Sequence, residues 1–186
     1  MVAIYCALHL VTTSAADTAG VYLSAADFAH HHLSYAVTDA NLHVGAPITN
    51  HLVQVTGADG QVKRFPAGSL YGIRKDGHDF RFVQTGQELR FKLDDGFYKI
   101  EATTPRYIYS SRYVFSAPRL YFSLTPTDTL HLLTSKNLLK YFPNQPALAR
   151  EVAQDKKLRY NIVARNEDGQ LHVAKIMAKY LPAPAK

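Results

Sequence analysis

The sequence predicts a β-rich α+β fold: an antiparallel meander of about eight to ten short strands, forming a barrel-like or curled sheet, followed by C-terminal helices. Three observations predict it. Apolar and polar residues alternate in short runs from Asn50 onward, and the turns Asp59-Gly60, Asp76-Gly77 and Asp95-Gly96 separate those runs. The aromatic residues are 12 Tyr and 9 Phe with no Trp, which suits a pleated, half-buried surface. Beyond Pro126 the apolar residues recur at helical spacing, with Pro and Gly as stops. With 186 residues the chain has the length of one domain, and it needs neither metal nor disulfide to bury a core.

Residues 1–15, MVAIYCALHLVTTSA, read as a truncated signal peptide. Val2 to Val11 is apolar but too short to span a bilayer, and Thr13-Ser14-Ala15-Ala16 offers a small-residue cleavage site. The positively charged start of such peptides is missing, so an apolar N-terminal strand is the alternative. Cys6 is the one cysteine and lies inside this run, so cleavage leaves a chain without thiol chemistry. No later stretch is long and apolar enough for a transmembrane span.

The β body is expected over residues 16–133. Ser24 with Asp27 three residues on resembles a capping box, so a short helix starts there and ends by about His32. Ser34 to Thr38 then turns extended. Leu52 to Val55 and Gln61 to Phe65 form the first hairpin, Ser69 to Thr85 the second, and Glu88 to Ala102 the third. RYIYSS and RLYFSLT continue the strands. Alternation places Phe82, Leu89, Phe91 and Leu93 inside, and Arg81, Arg90 and Lys92 on a solvated face.

A basic helical segment is expected over residues 134–186, packed on the β body. Thr134 caps a helix whose apolar stripe is Leu138, Leu139 and Phe142, and Pro143 stops it. Pro146 opens a longer helix carrying Leu148, Val152, Leu158, Ile162 and Val163, broken at Asp168-Gly169. QLHVAKIMAKYL is read as a last helix, followed by a frayed PAPAK tail. The net charge of +6 is segregated. Eleven Lys/Arg balance eleven Asp/Glu up to Leu133, and ten face four from Thr134 onward.

The segments GVYLSAADFAHHHLSY, FPAGSLYGIRKDGHDFRF, YIYSS, LYFSLTP and LTSKNLLKYFPNQPALAREVAQDKKLRYNIVARNED occur in an order that resembles one group. This is a family of small exported proteins of Bacteroidetes-type bacteria with no established activity. The likeness covers nearly the whole chain after Ala19. It implies a signal peptide, a β-rich body and a helical C-terminal part, and it transfers no cofactor and no catalytic residue. It also implies that the positions after the ADF-like motif vary, so the His triplet belongs to this sequence alone.

His30, His31 and His32 with Asp27 are the metal candidates. Adjacent helical residues diverge by about 100°, so only Asp27 with His31, or His30 with His32 in an extended end, could share an ion. The competing reading is polar histidines after a short helix. Asp94-Asp95, Asp76/Asp79 and Glu167-Asp168 all stand in turn contexts, where carboxylates cap rather than catalyse. No nucleophile elbow, no S-x-x-K set and no phosphate-binding loop is present. Tyr/Phe runs with Arg106, Arg112 and Arg119 are read as cross-strand core packing with Arg outside, against a stacking surface for glycan or single strands.

Two functions are therefore expected. The first is a non-catalytic envelope interaction or ligand-binding module, exported to the periplasm, envelope or medium. Its basic C-terminal surface, Arg150, Lys156, Lys157 and Arg159, would meet an anionic envelope component or an acidic protein surface. Arg165, Lys175 and Lys179 join that basic part, and on one helix Arg150 and Lys157 would share a face. No nucleic acid and no cofactor is expected. The second is a hydrolase with a site around His51, His78 or His131 and carboxylates of the β body.

Overall fold

The computed structural model describes residues 18–45, 52–84, 96–103, 106–111 and 118–182. Its strands are β1 (Thr18–Tyr22), β2 (Tyr35–Thr38), β3 (Leu42–Val44), β4 (Leu52–Thr56), β5 (Val62–Pro66), β6 (Gly72–Lys75), β7 (His78–Val83), β8 (Gly96–Ala102), β9 (Tyr107–Ser111), β10 (Arg119–Ser123) and β11 (His131–Leu132). Its helices are α1 (Ala25–Ala29), α2 (Ser135–Tyr141), α3 (Pro146–Gln154), α4 (Lys156–Tyr160) and α5 (His172–Tyr180). The expected signal peptide with Cys6, His51, and Leu89 to Asp95 lie outside the described residues.

Eight strands form one antiparallel sheet in the order β11-β10-β9-β8-β7-β6-β1-β2, and β3-β4-β5 form a second. From β6 to β11 each strand pairs with its neighbour in sequence, so this part is the expected meander. The large sheet is curled and does not close into a barrel. Local chemistry sets the turns. Asp76 (φ 50°) and Gly77 (φ 70°) link β6 to β7, the doubly left-handed pair of a type I′ hairpin turn. The capping box of α1 is complete: Asp27 N–H donates to Ser24 Oγ, and Ser24 N–H donates to Asp27 Oδ2, each at 3.1 Å.

Strand register sorts the side chains of the large sheet onto two faces. On one face lie Val21, Ile73 and Phe80, and, further along, Leu120, Ile108 and Phe122. Among the described residues two separate cores sit there. The small sheet covers one end, where Leu42, Val53 and Val55 pack with Val21 and Ile73. The C-terminal helices cover the other, where Leu138, Leu148, Leu171 and Met177 pack with Ile108, Leu120 and Phe122. Glu101 on β8 fastens the second arrangement. It accepts from Ser110 Oγ at 2.7 Å and pairs with Arg165, which lies beyond α4.

The opposite face corrects the sequence reading. The row Tyr22, Gly72, Arg81 and Tyr98 crosses four strands there, and Tyr109 and Tyr121 continue the layer. Phe82 does lie on the face opposite Arg81, but the face that holds Arg81 is not solvated. Arg81 is 9% exposed, and Tyr98, Tyr109 and Tyr121 pack beside it with Leu130.

The C-terminal helices hold two further corrections. The expected helix from Pro146 ends at Gln154, because Asp155 leaves helical geometry (φ −66°, ψ 120°) and caps α4, its Oδ1 accepting from Leu158 N–H at 2.9 Å. Aspartate satisfies a free N–H at a new helix start better than it tolerates a helix interior. Ile162 and Val163 follow α4 in a non-helical segment and pack half-buried on the helical core. In α2, Leu138 is buried, but Leu139 is 46% exposed and does not belong to the buried stripe.

Candidate functional site

The His triplet follows α1 and is exposed. His30 Nδ1 stands 2.8 Å from the carbonyl oxygen of Ala26, four residues back. His31 turns into the left-handed region (φ 53°), and its ring meets the ring of Phe28 edge-on. His32 Nδ1 lies 3.7 Å from Asp27 Oδ1. The Asp27 carboxylate is already engaged with Ser24 and Ser34, and hydrogen bonds from Ser24 above all hold its pKa below the usual value. Among the described residues no three His, Cys, Asp or Glu side chains converge as a ligand set.

The tyrosine-rich face carries a buried polar network. Arg81 Nη1 donates to the Tyr109 hydroxyl at 3.4 Å, and the guanidinium stands over the rings of Tyr71 and Tyr109, 5.8 and 5.7 Å from their centres. The Tyr109 hydroxyl and Ser123 Oγ share a hydrogen bond of 3.1 Å, and Tyr71 donates to the Pro126 carbonyl at the same distance. Next to it, Tyr22 donates to Asp79 Oδ1 at 2.8 Å, and Arg74 reaches Asp79 at 3.4 Å. Burial, reinforced by Asp79, pushes the Tyr22 phenol up to about 12. Burial also raises Tyr71 and Tyr107. Phe28 of α1 packs against Tyr22, Tyr71 and Tyr107. Each of these shifts disfavours a phenolate, so the tyrosines stay protonated beside the Arg81 guanidinium and the Arg74–Asp79 pair.

A third constellation joins the C-terminal helices. His172 Nε2 lies 2.9 Å from Asp155 Oδ2, and Nδ1 lies 2.8 Å from Asn166 Oδ1. The bond from the Leu158 backbone, then the one from His172, holds the Asp155 carboxyl below its ordinary value. An Asp–His pair is what a hydrolase would need, but a general base also needs a ring nitrogen facing substrate. Both nitrogens of His172 are engaged by the protein, so the pair pins α4 and α5 together. Asn166, Lys157 and Lys175 line an adjoining cavity of about 300 Å³ with Glu167 and Asp168. A second, of about 500 Å³, is lined by Arg150, Glu151, Gln154, Asp155 and Tyr180 with Ala147. Each mixes charges of both signs.

Of the other expected histidines, His78 is exposed beside the Asp76-Gly77 turn. The His131 ring stacks on Tyr141, 3.9 Å between centres, and burial lowers its pKa. Asp76 serves the turn, its N–H donating to Asp39 Oδ1, and Asp168 Oδ1 accepts from Gln170 N–H in a local turn. Arg106 donates to the Pro182 carbonyl and stands over Phe142; Arg112 lies outside the described residues.

Among the basic residues, Arg150, Lys156, Lys157 and Arg159 are all exposed. Arg150 is on α3 and Lys157 on α4, so the break at Asp155 overturns the expectation that one helix face carries both. Lys179 pairs with Glu151, which also accepts from the Tyr180 hydroxyl, and Arg165 pairs with Glu101. Sequence reasoning missed Arg81, Tyr71 and Tyr109 as a unit, and the Asp155–His172–Asn166 chain. A signal for the first exists: YIYSS and LYF are apolar in both alternating phases, the mark of strands covered on both faces. Nothing in residue spacing points to the second.

Comparison with known protein families, with curated proteins and with solved structures found no match.

Proposed function

We propose that this chain is a non-catalytic, exported interaction module that docks on an anionic envelope component through its C-terminal helical part. The observation that carries the reading is the state of its cations. Arg150, Lys156 and Lys157 are exposed and have no ion-pair partner among the described residues, whereas Arg165 and Lys179 are consumed by Glu101 and Glu151. Cations left without internal partners attract an external negative surface, and each contributes about 1 kcal/mol near anionic lipid. The occupied ring nitrogens of His172 support the non-catalytic part of the reading.

The test is sedimentation of the protein with vesicles of phosphatidylglycerol in phosphatidylcholine, against phosphatidylcholine alone. Binding to the anionic vesicles at low salt is expected to fall steeply as salt rises. Lys156→Glu with Lys157→Glu should weaken it by about tenfold or more, since two contributions of this size are lost and repulsion is added. Absence of binding at low salt would overturn the proposal.

A further inference from the structure

The five-residue helix α4 carries an unusual neighbour for its cations. Tyr160 is 90% exposed, the most exposed of the chain's large hydrophobic residues among those described. Leu158 is the buried residue of this helix, at 5% exposure. At about 100° per residue, Lys156 and Tyr160 project opposite Leu158, and Lys157 and Arg159 flank them. The result is an exposed face with the Tyr160 ring beside Lys156 and with Lys157 and Arg159 on its flanks, Lys157 also lining the cavity it shares with Glu167, Asp168 and Lys175. Tyr160 makes no ring or cation contact among the described residues. By contrast, Tyr141 stacks on His131, and the Tyr180 ring lies under Lys179 with its hydroxyl bonded to Glu151.

A tyrosine left this bare holds an apolar ring body in water. The ring body and the hydroxyl want different surroundings, and the boundary between head groups and acyl chains supplies both within a few ångströms. Lysine and arginine stems lie along the same boundary while their charged ends stay among phosphates. An acidic protein patch or a soluble acidic polysaccharide would satisfy the cations but offer no apolar layer for the ring. α4 is far too short to cross a bilayer, so the contact is interfacial.

We infer that the anionic partner is a lipid head-group surface, and that Tyr160 is the residue that enters it, held over the membrane by Lys156, Lys157 and Arg159. This rests on the docking reading above and goes beyond it by naming the partner class and the inserting side chain.

The sequence provides its own probe, because the chain contains no tryptophan. In the full-length Tyr160→Trp protein the emission reports one site. Addition of phosphatidylglycerol-containing vesicles at low salt is expected to shift the emission to shorter wavelength, and bilayer-embedded bromolipid should quench it. Sodium alginate, a soluble acidic polysaccharide, should bind without that shift. Tyr160→Ser should sediment less with the same vesicles while keeping the thermal transition of the parent. Three results decide against the inference. Vesicle binding with unshifted, unquenched emission overturns the insertion of Tyr160 while leaving electrostatic docking intact. An equal shift with alginate overturns the lipid as partner. Absence of vesicle binding by the unsubstituted protein at low salt overturns the docking reading, and this inference with it.

Discussion

The Arg81 guanidinium stands over the ring of Tyr109, 5.7 Å from its centre, and its Nη1 donates to the hydroxyl of that same tyrosine at 3.4 Å. The charge is buried at 9% exposure, with a second ring, Tyr71, also in cation–π range. Arg81→Ala is expected to lower unfolding free energy by about 2–4 kcal/mol, from two lost cation–π contacts, one hydrogen bond and the space left behind. Arg81→Lys should recover only part of it, because an ammonium cannot stack its plane on either ring. Urea titration measures both, and an unchanged midpoint for Arg81→Ala would remove this site from the account of stability.

Glu101 and Arg165 couple the sheet to the segment after α4. The Glu101 side chain is 8% exposed and that of Arg165 45%, so the pair sits between the surface and interior cases. Either single substitution, Glu101→Gln or Arg165→Ala, should cost about 1–2 kcal/mol, discounted for the solvent around Arg165. A double-mutant cycle should then return a coupling energy clearly different from zero. Additive losses would mean that the two side chains do not act together.

Alkaline pH should unfold the protein through its buried phenols. The Tyr22 phenol ionises at about 12 in the folded chain against an ordinary 10.0. The unfolded chain therefore gives up its proton first. The contribution is whole below about pH 10 and is lost as pH rises toward 12. Tyr71 is raised as well and adds to the loss. Tyr22→Phe should flatten the fall in stability across that window, although among the described residues Asp79 then keeps only Arg74 as a side-chain partner.

At the acid end the sign reverses. The Asp155 carboxyl is lowered by the Leu158 backbone bond and by His172, and Glu151 is lowered by Lys179 and Tyr180. Each contributes stability that is present above the ordinary carboxylate range and disappears as pH falls through the lowered value. Asp155→Asn keeps a capping acceptor for Leu158 but removes the charge beside His172. It should reduce the acid slope of stability and leave α4 capped, a combination that urea titrations at several pH values with circular dichroism can separate.

Leu138 and Leu139 are neighbours with opposite fates, buried at 1% and exposed at 46%. Leu138→Ala should cost about 2–5 kcal/mol, and Leu139→Gln should stay within about 0.5 kcal/mol of the parent. Equal effects would contradict the packing of α2.

The strand meander, the capped α1, the caps of α2 and the start of α3 were all legible, because each depends on a few adjacent residues. Ser24 with Asp27, Asp76-Gly77, Thr134 and Pro146 act within one turn of chain. What was not legible depends on what a neighbour covers. Alternation places Arg81 on the face opposite Phe82 but does not tell that Tyr98, Tyr109 and Tyr121 crowd that face or that Phe28 of α1 packs over Tyr22, Tyr71 and Tyr107. Leu139 has the helical spacing of a core residue and yet meets no covering layer. Asp155 favours a cap, and its partner His172 lies 17 residues away in sequence, a pairing that no local pattern encodes. Among the candidate residues, the cations on α4 are exposed, and the break at Asp155 separates them from the helix that carries Arg150.

The cluster under the small sheet and the cluster under the C-terminal helices have no residue in common, although one sheet supports both. Stability in such a chain is not a single number. Amide protons of β3 to β5 and those of α2 to α5 are therefore expected to exchange through separate local openings, since among the described residues each group packs on its own cluster. Damage at Leu138 should speed exchange throughout the helical half first, while the protons of Val53 and Val55 keep their original protection.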